Sequence, residues 1–541
     1  MDIKLCRQTA DNLFSKRVSW LMLMQEIGEN FFPERAEFTL RREISDEFAG
    51  DLMSSYPILT RRDLGDQTGN MLRPTAKQWF HQTVGFEEVK DIDARRWLEH
   101  QTTVQKRAMY DTRSQFTGAM KQADHDYITF GNDVVSVRLN RVRNGLLYRC
   151  YHLRDVVWME DEDDEICFIA RKWKPHAVDL KRLFGAKNHP SLDGEVRTNP
   201  FGEVECLHIM IKSELFDGDS RGRPFFSIYL DTQHGDHVLE QQSVWNREYC
   251  ISRWQRVSNS QYALSPAALA ALPEARLLQA MTYTLLEAGE KLTNPPMIAT
   301  QNVVRSDIAI YAGGVTWVDE DYDEKLGEAL RPMALDAKGM PIGIDMQKDA
   351  RLMIAQAWFL NKLTLPIRGP EMTAYEVGQR IQQYIRDALP IFEPMEYERN
   401  GQICEMTFDI MFRAGGFGSP MNIPKALQGR NVTYRFESPL HDAIEEQRGQ
   451  KFLEAKELVT QALTIDQNAI VELDARTALR EALIGIKAPA TWLRDKSEGD
   501  RMVEEKNEQM GAEQALALAQ QGADAAATAG KAGIPLTAQA A

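Results

Sequence analysis

LPIRGPEMTAYEVGQRIQQYIRDALPIFEPMEYERNGQICEMTFDIMFRAGGF, residues Leu365–Phe417, is the stretch on which the reading of this chain turns. It opens on a loop broken by Pro366, Gly369 and Pro370. Thr373, Ala374, Tyr375 and Glu376 then have the spacing of a capping box, in which a hydroxyl and a carboxylate satisfy backbone N–H groups at a helix start. Behind it Ala374, Val377, Ile381, Ile385 and Ala388 recur every three or four residues, so the spacing predicts a helix with one apolar face. The helix is expected to stop at Leu389, because Pro390 has no N–H to offer the next turn. A rigid helix launched from a stiff loop suits a part facing a pore, but no function follows from it alone.

Working outward, a chain of 541 residues exceeds what one core serves, and predicts about three or four structural units. A hydrophobic content of 43% with 26% charged residues is ordinary for a globular protein. No apolar run is long enough to span a bilayer, and the polar start, MDIKLCRQTAD, lacks a secretion-signal pattern. The expectation is a soluble protein, made inside the cell, with no membrane partner. Cys6, Cys150, Cys167, Cys206, Cys250 and Cys404 lie far apart without a CxxC pair, so they read as reduced thiols in apolar positions. The net charge of −15 argues against tight nucleic-acid binding, which comes mainly from Lys and Arg neutralising phosphates. It does not argue against a surface past which DNA slides, since adhesion would act as a brake.

Gln8 to Trp97 reads as mainly helical, and Glu99–Phe130 as helix. Gly131 then marks a change to alternating β-type residues, with Asn144-Gly145 as a hairpin turn. Strand-like segments follow at Phe168–Trp173, Cys206–Ile211 and Phe225–Leu230. A helix is expected from Pro273, placed at its first position, to Leu292, ended by Asn294-Pro295-Pro296. Ile298–Gly339 alternates short strands with turns, and Asp345–Lys362 is a second helix. His441–Leu463 and Asp466–Leu483 read as helical, and Glu504–Ala527 as an Ala-, Gln- and Glu-rich segment with little to bury alone. The last residues, PLTAQAA, are expected to be disordered. The fold class is therefore α+β, predominantly helical.

Catalytic signals are weak. The run Glu160–Glu165 could supply metal-binding carboxylates, but consecutive acids point in alternating directions, and a solvated loop beside a hairpin is the better reading. Asp231, His234, Asp236 and His237 sit close together around Gly235, which favours a surface turn over a metal site. There is no GxxxxGK[ST] and no GxSxG, so neither ATP hydrolysis nor a serine-hydrolase elbow is expected. Trp20, Trp79, Trp158, Trp245, Trp254 and Trp358 are scattered without interleaved basic residues and read as core or subunit-interface residues. No enzyme activity, cofactor or metal is expected. The rival readings are a metal-dependent nuclease using one of the two acidic clusters, or a different, smaller structural ring.

The run MTAYEVGQR and the helical stretch up to the break at Ala414–Gly418 resemble the signature of head-to-tail connector (portal) proteins of T7-like short-tailed bacteriophages. KQWF (Lys77–Phe80), DYITFGNDVV (Asp126–Val135), GLLYRCYHLRDVVW (Gly145–Trp158), SPAALAALPEARLL (Ser265–Leu278), Asn294-Pro295-Pro296 and FESPL (Phe436–Leu440) follow in the family's order. The resemblance covers roughly three quarters of the chain, and the shared order is its specific part. It implies a portal fold of wing, stem, clip and crown or barrel, assembled as a ring around a channel. The wing would be residues 1–264, the first stem helix region 265–297, the clip 298–340 and the second stem helix 341–363. The channel loop would be 364–372, the long wing helix and return 373–440, and the crown or barrel helices 441–541.

The same resemblance implies a dodecamer at one capsid vertex, carrying on the order of −180 charges. It implies duplex DNA in transit without sequence preference, packaged by a separate terminase. The partners it implies are the terminase large subunit, tail adaptor and tail tube proteins, major capsid and scaffolding proteins, and internal core proteins. The location it implies is the virion head–tail junction. Thr373, Glu376 and Arg380 are the residues of the signature helix. Lys362 and Arg368 fall where the family's loop faces the channel, and either contact DNA or are solvated or paired with Glu371. Asp319, Glu320, Asp321, Asp323 and Glu324 fall in the implied clip, either as a docking surface for basic partner segments or as a solvated loop.

Overall fold

The computed structural model describes residues 1–42, 50–85, 91–255, 260–299, 330–333, 339–360, 394–419 and 423–436, with isolated positions between and beyond these. The chain divides into two compact units. The first comprises Met1–Gln82, Gln101–Pro420 and Thr433–Ala443. It opens with α1 (Ile3–Lys16), α2 (Val18–Phe31) and α3 (Tyr56–Leu72). The short strand β1 (Phe80–Thr83) precedes α4 (Ile92–Met109) and α5 (Phe116–Phe130). The helical reading of Gln8–Trp97 is thus interrupted by loops and one strand, and that of Glu99–Phe130 by a tight turn at Thr112–Ser114 between α4 and α5.

Next come β2 (Asn132–Leu139), β3 (Leu146–Tyr151), β4 (Val156–Glu160) and β5 (Ile166–Trp173), then α6 (Ala177–Phe184) and α7 (Leu192–Thr198). They are followed by β6 (Cys206–Lys212), β7 (Phe225–Asp231), β8 (His237–Val244) and β9 (Tyr249–Arg253). The strands form an antiparallel three-stranded sheet ordered β3-β2-β9 and an antiparallel meander ordered β4-β5-β6-β7-β8. The expected strands at Phe168, Cys206 and Phe225 all lie in that meander. The turn expected at Asn144-Gly145 is longer than two residues: β2 ends at Leu139 and β3 begins at Leu146, with the Asn144 N–H donating to Asn140 Oδ1 at 3.0 Å. An asparagine side chain caps the loop, so no two-residue primed turn is needed.

The meander is apolar on both faces. Leu207, Ile209, Ile211 and Ile228 pack with Cys6 and Ala10 of α1 on one side. Trp158, Ile169 and Met210 join a larger core with α2, α3 and α5 on the other. A sheet covered twice reads as continuous Val/Ile/Phe runs, as β5 and β6 do, and each such side chain contributes roughly 1.5–3 kcal/mol of burial. α5 is buried almost throughout its second half and packs on β2 and β3 of the three-stranded sheet and on α2, α3 and the later helix at Pro266–Thr293. Gly131 ends α5 in the left-handed region, φ +77°, which favours glycine.

The first unit also contains α8 (Pro266–Thr293), β10 (Met297–Ala299), β11 (Leu330–Pro332), α9 (Met340–Ala357), α10 (Gln402–Arg413) and β12 (Thr433–Phe436). The second unit comprises Thr83–His100, Met421–Val432 and Ile444–Ala541. Its described core is small: Val84, Ala94, Leu98 and Leu427, with Trp97 and Ile423 against them. No described helix is long and apolar enough to cross a membrane. The helices expected at 373–389, 441–463 and 466–483 and the segment 504–527 lie wholly or almost wholly outside the described residues.

Candidate functional site: the helix pair α8–α9 and its anchor

Three contacts set where α8 starts. Ser265 is its N-cap, with Oγ accepting from the Ala268 N–H at 3.1 Å and donating to the Ile128 carbonyl at 2.5 Å. Asn132 grips Ala263, two residues before the cap, through both backbone groups, donating to its carbonyl at 2.7 Å and accepting its N–H at 3.0 Å. A Cβ on Gly131 would lie 2.5 Å from Leu264 C and Ser265 N, so only glycine lets the chain of α8 pass there. Pro266 follows the cap, and Pro273 lies inside the helix. The expectation that Pro273 begins the helix is therefore corrected: the Ser265 cap with Pro266 is a complete start signal seven residues earlier, and burial of Ala267, Ala268, Ala271 and Leu272 holds the turns around Pro273.

At 1.5 Å per residue α8 is roughly 42 Å long. Its first half is buried against α2 and α5, whereas from Gln279 onward its main partner among the described residues is α9. The two helices run antiparallel. Gln347 Nε2 donates to Thr282 Oγ1 at 2.7 Å, and Gly343 sits against Leu285. α9 spans Met340–Ala357 rather than the expected Asp345–Lys362. It ends because Trp358, fully buried against the Phe31 ring at 5.1 Å, is followed by Phe359 at φ +57°. Between the helices, β10 and β11 pair antiparallel, with Ile298 opposite Arg331. The order is helix, strand, strand, helix.

On the distal half of this pair much apolar surface is uncovered. Tyr283 and Leu286 on α8 are 56% and 55% exposed, and Ile342 and Met346 on α9 are 65% and 52% exposed. Scattered exposed apolar residues are normal, but a contiguous set on one hairpin marks an interaction surface.

The same unit carries a buried charge network. A π-helical turn, Glu396–Gly401, leads into α10 and turns Arg399 and Asn400 inward. Arg399 Nη1 lies 2.9 Å from Asp124 Oδ1 and Nε 3.5 Å from Asp133 Oδ2, all three side chains buried. Arg73 pairs with Asp124 and donates from Nη1 to Asn400 Oδ1 at 2.9 Å. Burial pushes the Asp133 carboxyl up to about 7, with Arg399 and Ser252 pulling the other way. Burial lowers the Arg399 pKa, but Asp133 and Asp124 outweigh it and hold the guanidinium charged. Arg35 donates from Nε to Asp126 Oδ1 at 3.0 Å, and Arg253 pairs with Glu398 and Glu160. These charges tie α3, α5, β2 and the α10 turn together across hundreds of residues of chain. The sequence reading missed them, because Asp124 and Asp126 stand in the polar run Lys121–Asp126 and nothing local distinguishes them from surface acids.

The other candidates can now be placed. Lys362, Arg368, Thr373, Glu376 and Arg380 lie outside the described residues, as do Asp319, Glu320, Asp321 and Glu324. Asp323 is described: it is exposed and its Oδ1 accepts from the Lys325 N–H at 3.0 Å. The run Glu160–Glu165 closes the β4–β5 hairpin, where Lys212 Nζ lies 2.6 Å from both Asp161 and Glu165. Asp231 and His234 pair at 2.8 Å, Asp236 pairs with Arg7, and His237 Nε2 contacts the Lys187 carbonyl at 2.9 Å. Burial works to lower the His234 pKa, but Asp231 and Glu195 raise it above the ordinary value. Among the described residues no three His, Cys, Asp or Glu side chains stand where one ion could join them. The six cysteines are free; five are buried and Cys150 is half-buried.

Comparison with known proteins adds the family. The probable portal protein of Bordetella phage BPP-1 is 22% identical over 447 residues, 80% of this chain and 78% of that protein. The portal protein of Salmonella phage epsilon15 is 23% identical over 329 residues, 60% of this chain and 58% of that protein. A chain from the virion of a native gene transfer agent (GTA) particle covers 80% of this chain and 94% of its own at 10% identity and a TM-score of 0.34, too low to carry a conclusion. The family model of the bacteriophage head to tail connecting protein matches residues 4–493. The chain belongs to that family.

Proposed function

We propose that this protein is the portal subunit of a phage head: a ring of about twelve copies at one capsid vertex, through which duplex DNA enters during genome packaging and leaves on ejection. The observation that carries the reading is the α8–β10–β11–α9 excursion, anchored at its base by Trp358 and the Ser265 cap and uncovered and apolar along its distal half. In this reading α8 and α9 are the stem. The segment between them is the clip, where the terminase large subunit docks first and tail adaptor and tail tube proteins later. Residues 1–264 with 373–440 make the wing and 441–541 the crown or barrel, facing scaffolding, major capsid and internal core proteins. The subunits are made in the host cytoplasm and end at the virion head–tail junction. The protein works by geometry and charge rather than catalysis, with like-charged walls that do not hold DNA.

Native mass and negative-stain images test this. Closed rings of about twelve chains with a hole wide enough for a duplex are expected. Monomers that stay single at every concentration would overturn it. The channel-loop assignment is tested separately, by DNA packaging and retention in a Lys362→Ala/Arg368→Ala double variant. Loss of retention is expected, and wild-type behaviour would remove those two residues from the DNA path.

A further inference from the structure

The two sides of the α8–α9 pair differ, and the difference is complementary. The row of α8 that faces α9 is Leu278, Thr282, Leu285 and Gly289, and the facing row of α9 is Met340, Gly343, Gln347 and Ile354. With 3.6 residues per turn, Met281, Thr284 and Ala288 fall to one side of the α8 row, and Leu286 and Glu290 to the other, with Tyr283 beyond them. On the first side lies an open groove of about 550 Å³ lined by Met281, Leu285, Ala288, Leu292, Met340 and Met346. At its inner edge Gly343 lets α9 close on Leu285, where a Cβ would lie 2.8 Å from Leu285 Cδ2, and Ala288 adds only a methyl to its wall. The second side carries protrusions, Leu286 and Tyr283, each more than half exposed.

We propose that these sides are the two halves of one head-to-tail contact between copies of this chain: Leu286 and Tyr283 of one subunit seat in the groove between Met281, Leu285 and Met346 of the next. The proposal rests on the portal reading and supplies the partner for its stem. Three observations favour a second copy over any other occupant. Knob and groove lie on opposite sides of one hairpin, so each copy presents both and none is left unfilled in a closed ring. They lie at the same level along α8, since Leu286 is one residue from Leu285 and two from Ala288, and with α8 set along the ring axis that is one height. Cyclic symmetry rotates without rising, so only a contact between equal heights closes, whereas a contact with offset would wind into a filament. Charge also fits. Lys291, which borders the groove and pairs with Glu287 of its own helix at 2.6 Å, would meet Glu290 on the knob side of the neighbour.

The test uses full-length chains and a short thiol-to-thiol cross-linker. Leu286→Cys and Ala288→Cys are made singly and co-expressed. Among the described residues five native thiols are buried and one half-buried, and the wild type serves as the control for them. Covalent dimers are expected from co-expressed rings and not from either variant alone. Rings that form but give no dimers overturn the contact while leaving the portal reading in place. Dimers from Leu286→Cys alone would mean a two-fold contact and overturn it too. A second arm uses Leu286→Asp and Met346→Asp, on opposite sides. Each is expected to reduce the native mass to monomer with helix content unchanged, and mixing the two variants to allow no rings, only pairs joined through each one's intact side. Rings of normal mass from either variant, or an α8–α9 groove filled by another polypeptide in the purified ring, would overturn the proposal. A wild type that never forms rings removes the portal reading itself.

Discussion

Two residues show how much depends on single positions. Gly131 holds a positive φ and leaves no room for a Cβ beside Leu264 and Ser265, so Gly131→Ala both strains the backbone and displaces the start of α8. A loss of more than about 2 kcal/mol is expected, read from the denaturant midpoint. Asp133 is the second. Its folded pKa of about 7 lies above its ordinary 3.8, so the neutral form is favoured by folding. Stability from this group is full below about pH 4 and is lost as pH rises towards 7. The wild type should therefore lose stability relative to Asp133→Asn across that window and track it above. Parallel stability curves from pH 4 to 7 would show that Arg399 keeps Asp133 ionised throughout.

At the scale of elements, the α8–α9 pair depends on one aromatic anchor. Trp358 is fully buried and stacks edgewise on Phe31 where α9 returns to the core. Trp358→Ala should cost about 3–5 kcal/mol and lower the thermal midpoint, because the cavity it leaves is walled by rigid helices. Much of this level was legible. The Asn294-Pro295-Pro296 stop, the change to strand at Gly131 and the order helix, strands, helix were readable because each rests on local backbone chemistry. Pro273 was misread for the same reason. A proline is a start signal by local rules, but the buried alanines on either side of it hold the helix through it.

For the whole molecule the net charge of −15 per chain opposes assembly, since like charges gather in any ring. An interface of Leu286, Tyr283, Met281 and Met346 is apolar, so it should not weaken as salt rises. Assembly measured by native mass or sedimentation should hold or improve between low salt and about 0.15 M, where the Debye length shortens to about 8 Å. Dissociation on adding salt would mean that ion pairs, not apolar contacts, hold the subunits.

The sequence by itself determined the broad class of the protein, the positions of its main strands, and the family through motifs kept in order, because periodicity and turn chemistry act over a few residues. Tertiary structure alone decided which charges meet. Arg399 reaches Asp124 and Asp133 across more than 260 residues, and no local pattern specifies that pairing. It also decided which sides of α8 and α9 face each other. Those sides follow from the rotation of each helix about its axis, which is set by burial against the rest of the fold and leaves knob and groove on opposite flanks.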